Sequence, residues 1–193
     1  MLKWLGIVCL VIASGLAGYI GWTLWGTGLA TERAQESLRP SFVDRIDTKD
    51  PSEAPPSGRL PLPGTAYAQL VIPRISLDMI VVEGVDAVDL EKGPGHYPDT
   101  ADPWDDDGRV AIAGHRTTYL HPFGNLDEMR VGDEITLRTE FGVFRYAVSD
   151  VFAIPTEGSG KVLTQTAEPT LVLTTCHPEF SASERLIVTA ERV

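Results

Sequence analysis

Cys176 is the residue of this chain best suited to covalent chemistry. It ends the apolar run Thr-Leu-Val-Leu-Thr-Thr-Cys, whereas the other cysteine, Cys9, lies in an uncharged N-terminal segment. A thiol attacks an amide as the thiolate, and expelling the amine requires a proton donor, so a nucleophilic cysteine needs an acid/base partner whose pKa lies near neutrality. His115 follows another apolar run, residues 109–114. We therefore predict Cys176 as the nucleophile and His115 as the acid/base.

Arg185 completes this set of reactive side chains. Attack on an amide forms an oxyanion, which a guanidinium can stabilise without changing its own protonation. Arg185 follows Cys176 across one predicted hairpin loop and begins the apolar segment Leu-Ile-Val. Each of the three residues lies at or beside the end of an apolar strand, where a barrel can hold a side chain rigidly and still expose it.

Other interpretations of these residues and of the remaining histidines stay open. A single cysteine at a strand end is more often an inert core residue than a nucleophile. His177 is an alternative base, but adjacent residues of an extended chain point to opposite sides, so it is poorly placed to serve Cys176. His96 and His121 are interpreted as loop residues near the rim of the cleft. Because the four histidines show no paired ligand spacing, we predict no structural zinc.

Two other classes of cysteine enzyme fit the order of these residues poorly. Papain-like enzymes place the cysteine before the histidine in the chain, whereas here His115 precedes Cys176. A tyrosine-phosphatase loop needs an arginine at position 182, which is occupied by Ala182.

The elements that must position these residues are mainly strands. Short apolar runs broken by Gly, Pro and Asp predict strands at residues 67–72, 79–83, 109–114, 134–139, 143–154, 170–176 and 185–191. In the fourth run Ile135 and Leu137 alternate with polar residues and face inward, and a turn at residues 140–142 predicts a hairpin. Brief helices are predicted at residues 86–91 and 125–129. Seven or eight short strands predict a closed or nearly closed β-barrel, which leaves no exposed edge.

The N-terminal segment has the character of a membrane anchor. Residues 4–31 contain no Asp, Glu, Lys or Arg, and about 20 residues suffice to span a bilayer. A cleaved signal peptide has a shorter apolar region of about 7–15 residues and a small-x-small cleavage site. We therefore predict that residues 1–31 form a short cytoplasmic N-terminus and a transmembrane signal anchor, with the rest of the chain outside. Cys9 then lies in the span and cannot reach Cys176 to form a disulfide.

The region beyond the anchor begins with a Pro-rich segment and carries a strong negative charge. Six of the fourteen prolines lie between residues 40 and 63, so residues 32–64 are predicted to form an extended stalk and residues 65–193 the catalytic domain. Without Lys3, 27 acidic residues face 15 basic ones, a formal charge of 15 − 27 = −12. Nucleic acid and anionic lipid surfaces are therefore excluded as expected partners.

Five aspartates fall within residues 99–107. Clusters of carboxylates can bind calcium, although the spacing here is not that of an EF-hand and a solvated loop is the commoner outcome. Calcium is kept as an alternative, and no other cofactor is predicted.

The reactive segments together resemble the sortase family. The resemblance rests on the strand that ends Leu-Thr-Thr-Cys176, the Arg185-Leu-Ile-Val segment and the upstream Ala-Gly-His115-Arg, and it covers roughly residues 65–193. Residues 93–98 (GPGHYP), 111–119 (AIAGHRTTY), 122–129 (PFGNLDEM) and 173–188 (LTTCHPEFSASERLIV) are most similar to class E.

The resemblance implies an eight-stranded sortase barrel with short helices, preceded by an N-terminal transmembrane helix. It implies that His115, Cys176 and Arg185 are the catalytic residues and that Thr175 aids the oxyanion through its backbone or hydroxyl. It also implies that Tyr119 takes part in choosing a Leu-Ala-x-Thr-Gly sorting signal over Leu-Pro-x-Thr-Gly. No metal is implied.

The implied reaction cleaves a C-terminal sorting signal between Thr and Gly, holds the protein as a thioester and passes it to an amine of a cell-wall precursor. The implied partners are surface proteins that bear the signal and a peptidoglycan precursor amine, at the cell membrane of a Gram-positive type bacterium. The rival interpretation is a noncatalytic, membrane-tethered β-domain that binds surface proteins. That rival predicts that Cys176 can be replaced by alanine without consequence.

Overall fold

The computed structural model describes residues 2–22, 26–48 and 62–193. Two long helices come first, α1 (Leu2–Gly21) and α2 (Thr27–Thr48). The strands that follow are β1 (Ala66–Ile72), β2 (Leu77–Glu83), β3 (Gly95–His96), β4 (Arg109–Ala113), β5 (Glu134–Thr139), β6 (Gly142–Pro155), β7 (Thr170–His177) and β8 (Glu184–Arg192). Between them lie α3 (Ala87–Leu90) and short 3₁₀ helices at Pro73–Ile75, Leu126–Glu128 and Ser159–Leu163.

The strands close into a barrel in the order β1-β2-β3-β4-β7-β8-β6-β5. β2 with β3 and β4 with β7 pair in parallel, and the other neighbours are antiparallel. β5 and β6 form the predicted hairpin, and Ile135 and Leu137 are fully buried as their alternation predicted. The prediction of a mainly β, eight-stranded barrel is confirmed.

Apolar side chains cover both faces of the sheet around β7. Leu171 and Leu173 belong to the inner core of the barrel, whereas Val172 belongs to a smaller outer cluster with Ala111 and Ile187. This division follows from the strand geometry, because successive side chains point to opposite faces. The outer cluster is covered by partly buried side chains of Tyr97, Phe152, Ile154, Val162 and Leu163. β4, β7 and β8 are thereby held rigidly from both sides.

Helix α2 differs from the extended stalk predicted for residues 32–64. Residues 27–48 are helical although Pro40 lies inside the helix, where proline removes a backbone hydrogen bond. Contacts with the barrel offset this cost, because Phe42 is only 1% exposed and Thr31 and Gln35 are also buried. Composition does not reveal such tertiary contacts, so the proline count gave the wrong conformation here. Residues 49–61 of the predicted stalk lie outside the described residues.

Gln35 of α2 completes the hydrogen bonding of strand β2. The two-residue β3 pairs with Val82 and Glu83 and does not reach Ile80. The Ile80 N–H instead donates to Gln35 Oε1 at 2.7 Å, and Gln35 Nε2 donates to Ile80 O at 2.9 Å and to Lys92 O at 2.8 Å. The side-chain amide thus acts as a substitute peptide group that covers the edge of β2.

Helix α1 carries most of the segment predicted as a membrane anchor; Met1 and residues 23–25 lie outside the described residues. Its large apolar side chains are exposed, among them Leu10 at 69%, Val11 at 67% and Ile12 at 64%. Across the described ranges, no helix has both the length and the apolar character required to cross a membrane.

His96 is a buried residue of β3 and not, as the sequence suggested, a loop residue at the rim. Its Nδ1 lies 2.9 Å from Glu83 Oε2, and its ring stacks on Tyr67 with 4.2 Å between centroids. Tyr67 Oη in turn donates to Asp102 Oδ1 at 2.6 Å. Burial raises the pKa of Tyr67 well above its usual value and also raises that of Asp102. Because β3 has only two residues, it shows no alternation from which the burial of His96 could be predicted. His121, in contrast, is exposed in a loop.

The segment of residues 99–107 does not converge on a metal site. The carboxylate of Asp102 accepts the hydrogen bond from Tyr67, and Asp105 Oδ2 accepts one from the Asp102 backbone N–H. Among the residues that the structure describes, no group of three or more His, Cys, Asp or Glu side chains is placed to hold a metal ion. The calcium alternative therefore has no support in that part of the chain.

Candidate active site

Strand β7 places Cys176 on the outer face of the barrel. Leu171 and Leu173 face the inner core and Val172 faces the outer cluster, so the alternation puts Cys176 on the face of Val172. Arg185 of β8 pairs directly with Cys176. Residues directly opposite in an antiparallel pair project to the same face with Cβ atoms about 4.5–5.5 Å apart. The thiol and the guanidinium therefore start from neighbouring positions.

Strand β4 leads His115 to the same region. β4 is parallel to β7, and the N–H of Gly114 donates to Thr174 O at 3.1 Å. The register pairs Ala113 with Thr174, and its continuation by two residues brings His115 level with Cys176. Glycine at position 114 lets the Phe123 ring pack closely against this segment, because a Cβ atom there would lie 2.6 Å from the ring. The three predicted residues thus lie at the ends of three neighbouring strands.

Thr175 points to the opposite face from Cys176. Its Oγ1 donates to Gly114 O at 2.8 Å, and the residue is 4% exposed. The hydroxyl therefore ties β7 to the residue before His115 and is directed away from the thiol. Of the two roles expected for Thr175, stabilisation of an oxyanion by its hydroxyl does not fit this geometry, and a role of its backbone stays a prediction.

His115 is half-buried beside Tyr119 and near Glu91. The rings of His115 and Tyr119 lie 4.8 Å apart between centroids, tilted by 33°. Burial lowers the pKa of His115 because it disfavours the imidazolium, and the negative charge of Glu91 partly offsets this effect. The neutral imidazole is consequently favoured in the resting protein more than in an exposed histidine.

Arg185 is held by oxygen atoms of two loop residues and of the first residue of β8. Its Nη1 donates to Thr156 Oγ1 at 3.0 Å, to Ala182 O at 3.2 Å and to Glu184 O at 3.1 Å. Thr156 also links the two loops, because its Oγ1 donates to Ala182 O at 2.6 Å. All three bonds use one nitrogen, so in the described part of the chain Nε and Nη2 keep their donor capacity for a ligand.

Arg116 fixes the side chain of His177, the residue after Cys176. Arg116 is 5% exposed; its Nη1 donates to His177 Nδ1 at 2.8 Å, and its Nη2 lies 3.1 Å from Asp127 Oδ1. Since a guanidinium can only donate, Nδ1 of His177 is the acceptor and carries no proton. The lone pair that a base needs is therefore engaged, which weakens the alternative that His177 replaces His115.

Residues 119–121 form an unusual left-handed turn next to His115. Tyr119, Leu120 and His121 have φ values of 53°, 60° and 39°. Left-handed backbone costs an L-residue about 1–2 kcal/mol, so three in succession persist only where surrounding contacts determine them. Tyr119 has such contacts: its N–H donates to Thr27 Oγ1 at 3.2 Å and its Oη donates to Glu91 Oε1 at 3.0 Å.

Comparison with known proteins identifies the family. The model of the sortase domain matches residues 70–193. The chain belongs to the sortase family. As a sortase it is a transpeptidase that cleaves sorting signals and transfers the cleaved protein to an amine nucleophile.

Relatives of this sortase come from two classes. Sortase D of Bacillus subtilis is 33% identical, over 95% of this chain and 96% of that protein. Sortase SrtE1 of Streptomyces coelicolor is 26% identical, over 91% of this chain and 52% of that protein. The assignment to class E within the family therefore stays a prediction.

Solved sortase structures share the fold. A Sortase D5 transpeptidase of Clostridium perfringens superposes with a TM-score of 0.67 at 27% identity, covering 85% of this chain and 98% of the other. Sortase E1 of Streptomyces coelicolor, with a tripeptide in the active site, superposes with a TM-score of 0.62 at 29% identity, covering 69% and 91%. The sortase barrel is thereby confirmed.

Sequence reasoning missed several residues around the site of this sortase. The sequence alone singles out neither Glu91 nor Thr156, and it does not mark Arg116 as a site residue. Each lies in a loop and bonds to a residue that is distant in the sequence, so no periodicity marks it. The position of Arg116 directly after His115 was the one available signal, because a charged residue beside a functional histidine is close to the site by necessity.

Proposed function

We propose that Cys176 of this sortase is the nucleophile that forms the thioester, with His115 as acid/base and Arg185 as stabiliser of the oxyanion. The observation that carries the proposal is the direct cross-strand pairing of Cys176 with Arg185 on the outer face, with His115 two residues beyond the end of β4, the parallel neighbour strand of β7. This arrangement supplies a nucleophile, a proton carrier and a positive charge on one surface.

In the first half of the proposed reaction, neutral His115 takes the proton of the Cys176 thiol, and the resulting thiolate attacks the carbonyl carbon of threonine in the sorting signal. The carbonyl oxygen becomes an oxyanion, which hydrogen bonds from Arg185 stabilise. When the C–N bond to glycine breaks, His115 donates a proton to the leaving amine, and the thioester remains on sulfur.

In the second half, an amine of the acceptor replaces glycine. Neutral His115 removes a proton from the acceptor amine as the amine nitrogen attacks the thioester carbonyl. A second oxyanion forms beside Arg185 and collapses to an amide, which returns the thiolate of Cys176. The acceptor of the proposed reaction is the amine of a peptidoglycan precursor.

We propose a sorting signal of the Leu-Ala-x-Thr-Gly or Leu-Pro-x-Thr-Gly type, with Tyr119 reading its second residue. The support is the class E pattern of the sequence and the contact between the rings of Tyr119 and His115 at 4.8 Å. Kinetics with two peptides that differ only in Ala or Pro at that residue test this point. If Tyr119→Phe and Tyr119→Ala leave the ratio of kcat/KM values unchanged, Tyr119 does not read the signal.

We also propose that the part of residues 1–31 that precedes α2 anchors this sortase to the membrane as a single-pass segment with the barrel outside the cell. The support is the uncharged sequence of residues 4–31 together with the exposed apolar side chains of α1. Fractionation of the bacterial cell and protease accessibility of the barrel test this placement. Recovery of the intact, uncleaved chain in the soluble fraction would contradict it.

The nucleophile is tested with the full-length chain in detergent and a Leu-Ala-x-Thr-Gly peptide. Intact-mass spectrometry is expected to detect the thioester on the wild type and on Cys9→Ala, and to detect none on Cys176→Ala. Cys9→Ala is the matched control, because it removes the other thiol. A wild type that is never acylated by either peptide, or a Cys176→Ala variant that retains turnover, would favour the rival noncatalytic domain or another nucleophile.

A further inference from the structure

One face of α2 makes polar contacts with the barrel along most of its length. Thr27, Thr31, Gln35 and Arg39 are spaced four residues apart and therefore lie on one side of the helix. Each has a polar contact with a different part of the barrel: the Tyr119 N–H, the Glu91 carbonyl, Ile80 with Lys92, and Asp78. This stripe fixes the rotation and the height of α2 against the barrel.

The N-terminal end of the stripe lies against the left-handed turn of residues 119–121. Thr27 Oγ1 accepts the Tyr119 N–H at 3.2 Å. Next to it, a Cβ atom on Gly28 would lie 3.2 Å from the Leu120 side chain, so the helix backbone itself packs on the turn. The first turn of α2 thus contacts both the backbone and a side chain of this segment.

A second contact reaches the same turn through Glu91. The Glu91 carboxylate accepts the Tyr119 hydroxyl at 3.0 Å, and the Glu91 carbonyl accepts the Thr31 hydroxyl at 2.7 Å. Tyr119 is consequently held at its backbone by Thr27 and at its hydroxyl by Glu91. Helix α2 supplies the first of these residues and bonds to the second. Three consecutive left-handed residues need external contacts of this kind.

We infer that the first turn of α2 is a part of the signal-recognition site, and that Thr27 and Glu91 are positioning residues that hold Tyr119 against His115. The inference rests on the proposed function, in which Tyr119 reads the second residue of the sorting signal. It assigns a role in peptide selectivity to a helix whose first residues, 27–31, overlap the end of the predicted membrane anchor.

The test uses full-length variants and the two peptides that differ in Ala or Pro. Thr27→Val removes the hydroxyl at nearly constant shape and is expected to lower kcat/KM for the preferred peptide about 3- to 10-fold, mainly through KM, with a smaller loss for the other peptide. Thr27→Ser is expected to stay within about 2-fold of the wild type, because it restores the acceptor oxygen. The matched control is Thr48→Val, since among the described residues the Thr48 hydroxyl bonds only to carbonyls of its own helix.

Glu91 is tested by a double-mutant cycle. Glu91→Ala is expected to reduce the peptide preference in the wild type and to have no further effect on it in Tyr119→Phe, because the hydroxyl that Glu91 holds is already absent. Glu91→Gln retains an acceptor oxygen and is expected to retain most of the preference. This cycle decides the matter even if Thr27→Val folds poorly, which thermal unfolding detects.

The outcomes separate this inference from the proposed function. If the wild type forms no thioester, the proposed function fails. If the wild type is active but Thr27→Val behaves as Thr48→Val, or loses activity equally for both peptides without recovery in Thr27→Ser, the inference fails alone. An unchanged effect of Glu91→Ala in Tyr119→Phe also overturns the role of Glu91.

Discussion

Hydrogen bonds already made by the fold determine which side chains around Cys176 can move a proton. His177 accepts a bond from Arg116 at Nδ1, and Thr175 donates its hydroxyl to the Gly114 carbonyl. His115 instead packs beside Tyr119, with a pKa that burial lowers and Glu91 raises. Among these neighbours, His115 is therefore the residue suited to exchange protons with a substrate amine.

Arg185→Lys tests the geometry of the guanidinium. Lysine keeps the positive charge but loses the planar fork, so it cannot both bond to the loop oxygens and direct two further N–H groups at an oxyanion. We expect kcat to fall by about 100-fold, the usual effect of removing one donor to an oxyanion, with little change in the thermal midpoint. Activity near that of the wild type would remove Arg185 from the mechanism.

The pKa of His115 can be measured by NMR titration. We expect it below the ordinary value of about 6.5, and lower still in Glu91→Gln, because that substitution removes the charge that favours the imidazolium. Glu168→Gln, an exposed residue before the other end of β7, is the control and should leave it unchanged.

The same shift has a consequence for stability. The unfolded chain binds a proton at His115 more readily than the folded one, so the contribution of His115 to stability decreases as the pH falls from about 6.5 through the folded pKa. If the measured pKa of His115 lay above the ordinary value, burial would not be the dominant influence on this residue.

At the scale of elements, short apolar runs in the sequence were enough to predict seven strands. β5 and β6 each give several alternating residues, and their hairpin was predicted with its facing side chains. β3 has two residues, and α2 shows no sequence signal that outweighs its proline. Both elements exist because of partners elsewhere in the chain, which local patterns do not contain.

Gln35→Leu tests whether α2 stabilises the barrel. The substitution leaves the Ile80 N–H and carbonyl buried without their partner, and each unsatisfied group costs about 1–3 kcal/mol. We expect a loss of about 2–4 kcal/mol in the free energy of unfolding, measured by urea denaturation of the full-length chain. The neighbouring, exposed Glu36→Leu is the control and should change this free energy far less. Equal effects of the two would mean that α2 contributes little to the fold.

At the scale of the whole molecule, the sequence motifs predicted the residues of the site but not their surroundings. The motifs around His115, Cys176 and Arg185 lie at or beside the ends of apolar strands, and the barrel brings those ends together. The supports of Arg185 and Tyr119, such as Thr156 and Glu91, come from distant loops. Their placement depends on the closure of the barrel, so a linear pattern could not predict it.

The net charge of −11 should affect how substrates approach the molecule. A sorting-signal peptide flanked by lysines is attracted to the acidic protein, and one flanked by aspartates is repelled. We expect kcat/KM for the lysine peptide to exceed that for the aspartate peptide by about 10-fold at low ionic strength. In 1 M salt, where the screening length is about 3 Å, the two values should converge. A ratio that does not depend on salt would indicate direct contacts with the flanking residues instead.

The parallel pairing of β4 with β7 also governs when the site comes into existence during folding. Gly114 and Thr175, which this pairing joins, are separated by 61 residues, and a parallel strand pair cannot form from a local hairpin. Contacts of such long range close slowly, because the intervening chain must first be ordered. Until then Cys176 can have Arg185 opposite it on β8 but lacks His115 beside it. In the proposed reaction, acylation of this residue by a sorting-signal peptide therefore measures completed folding as well as catalysis.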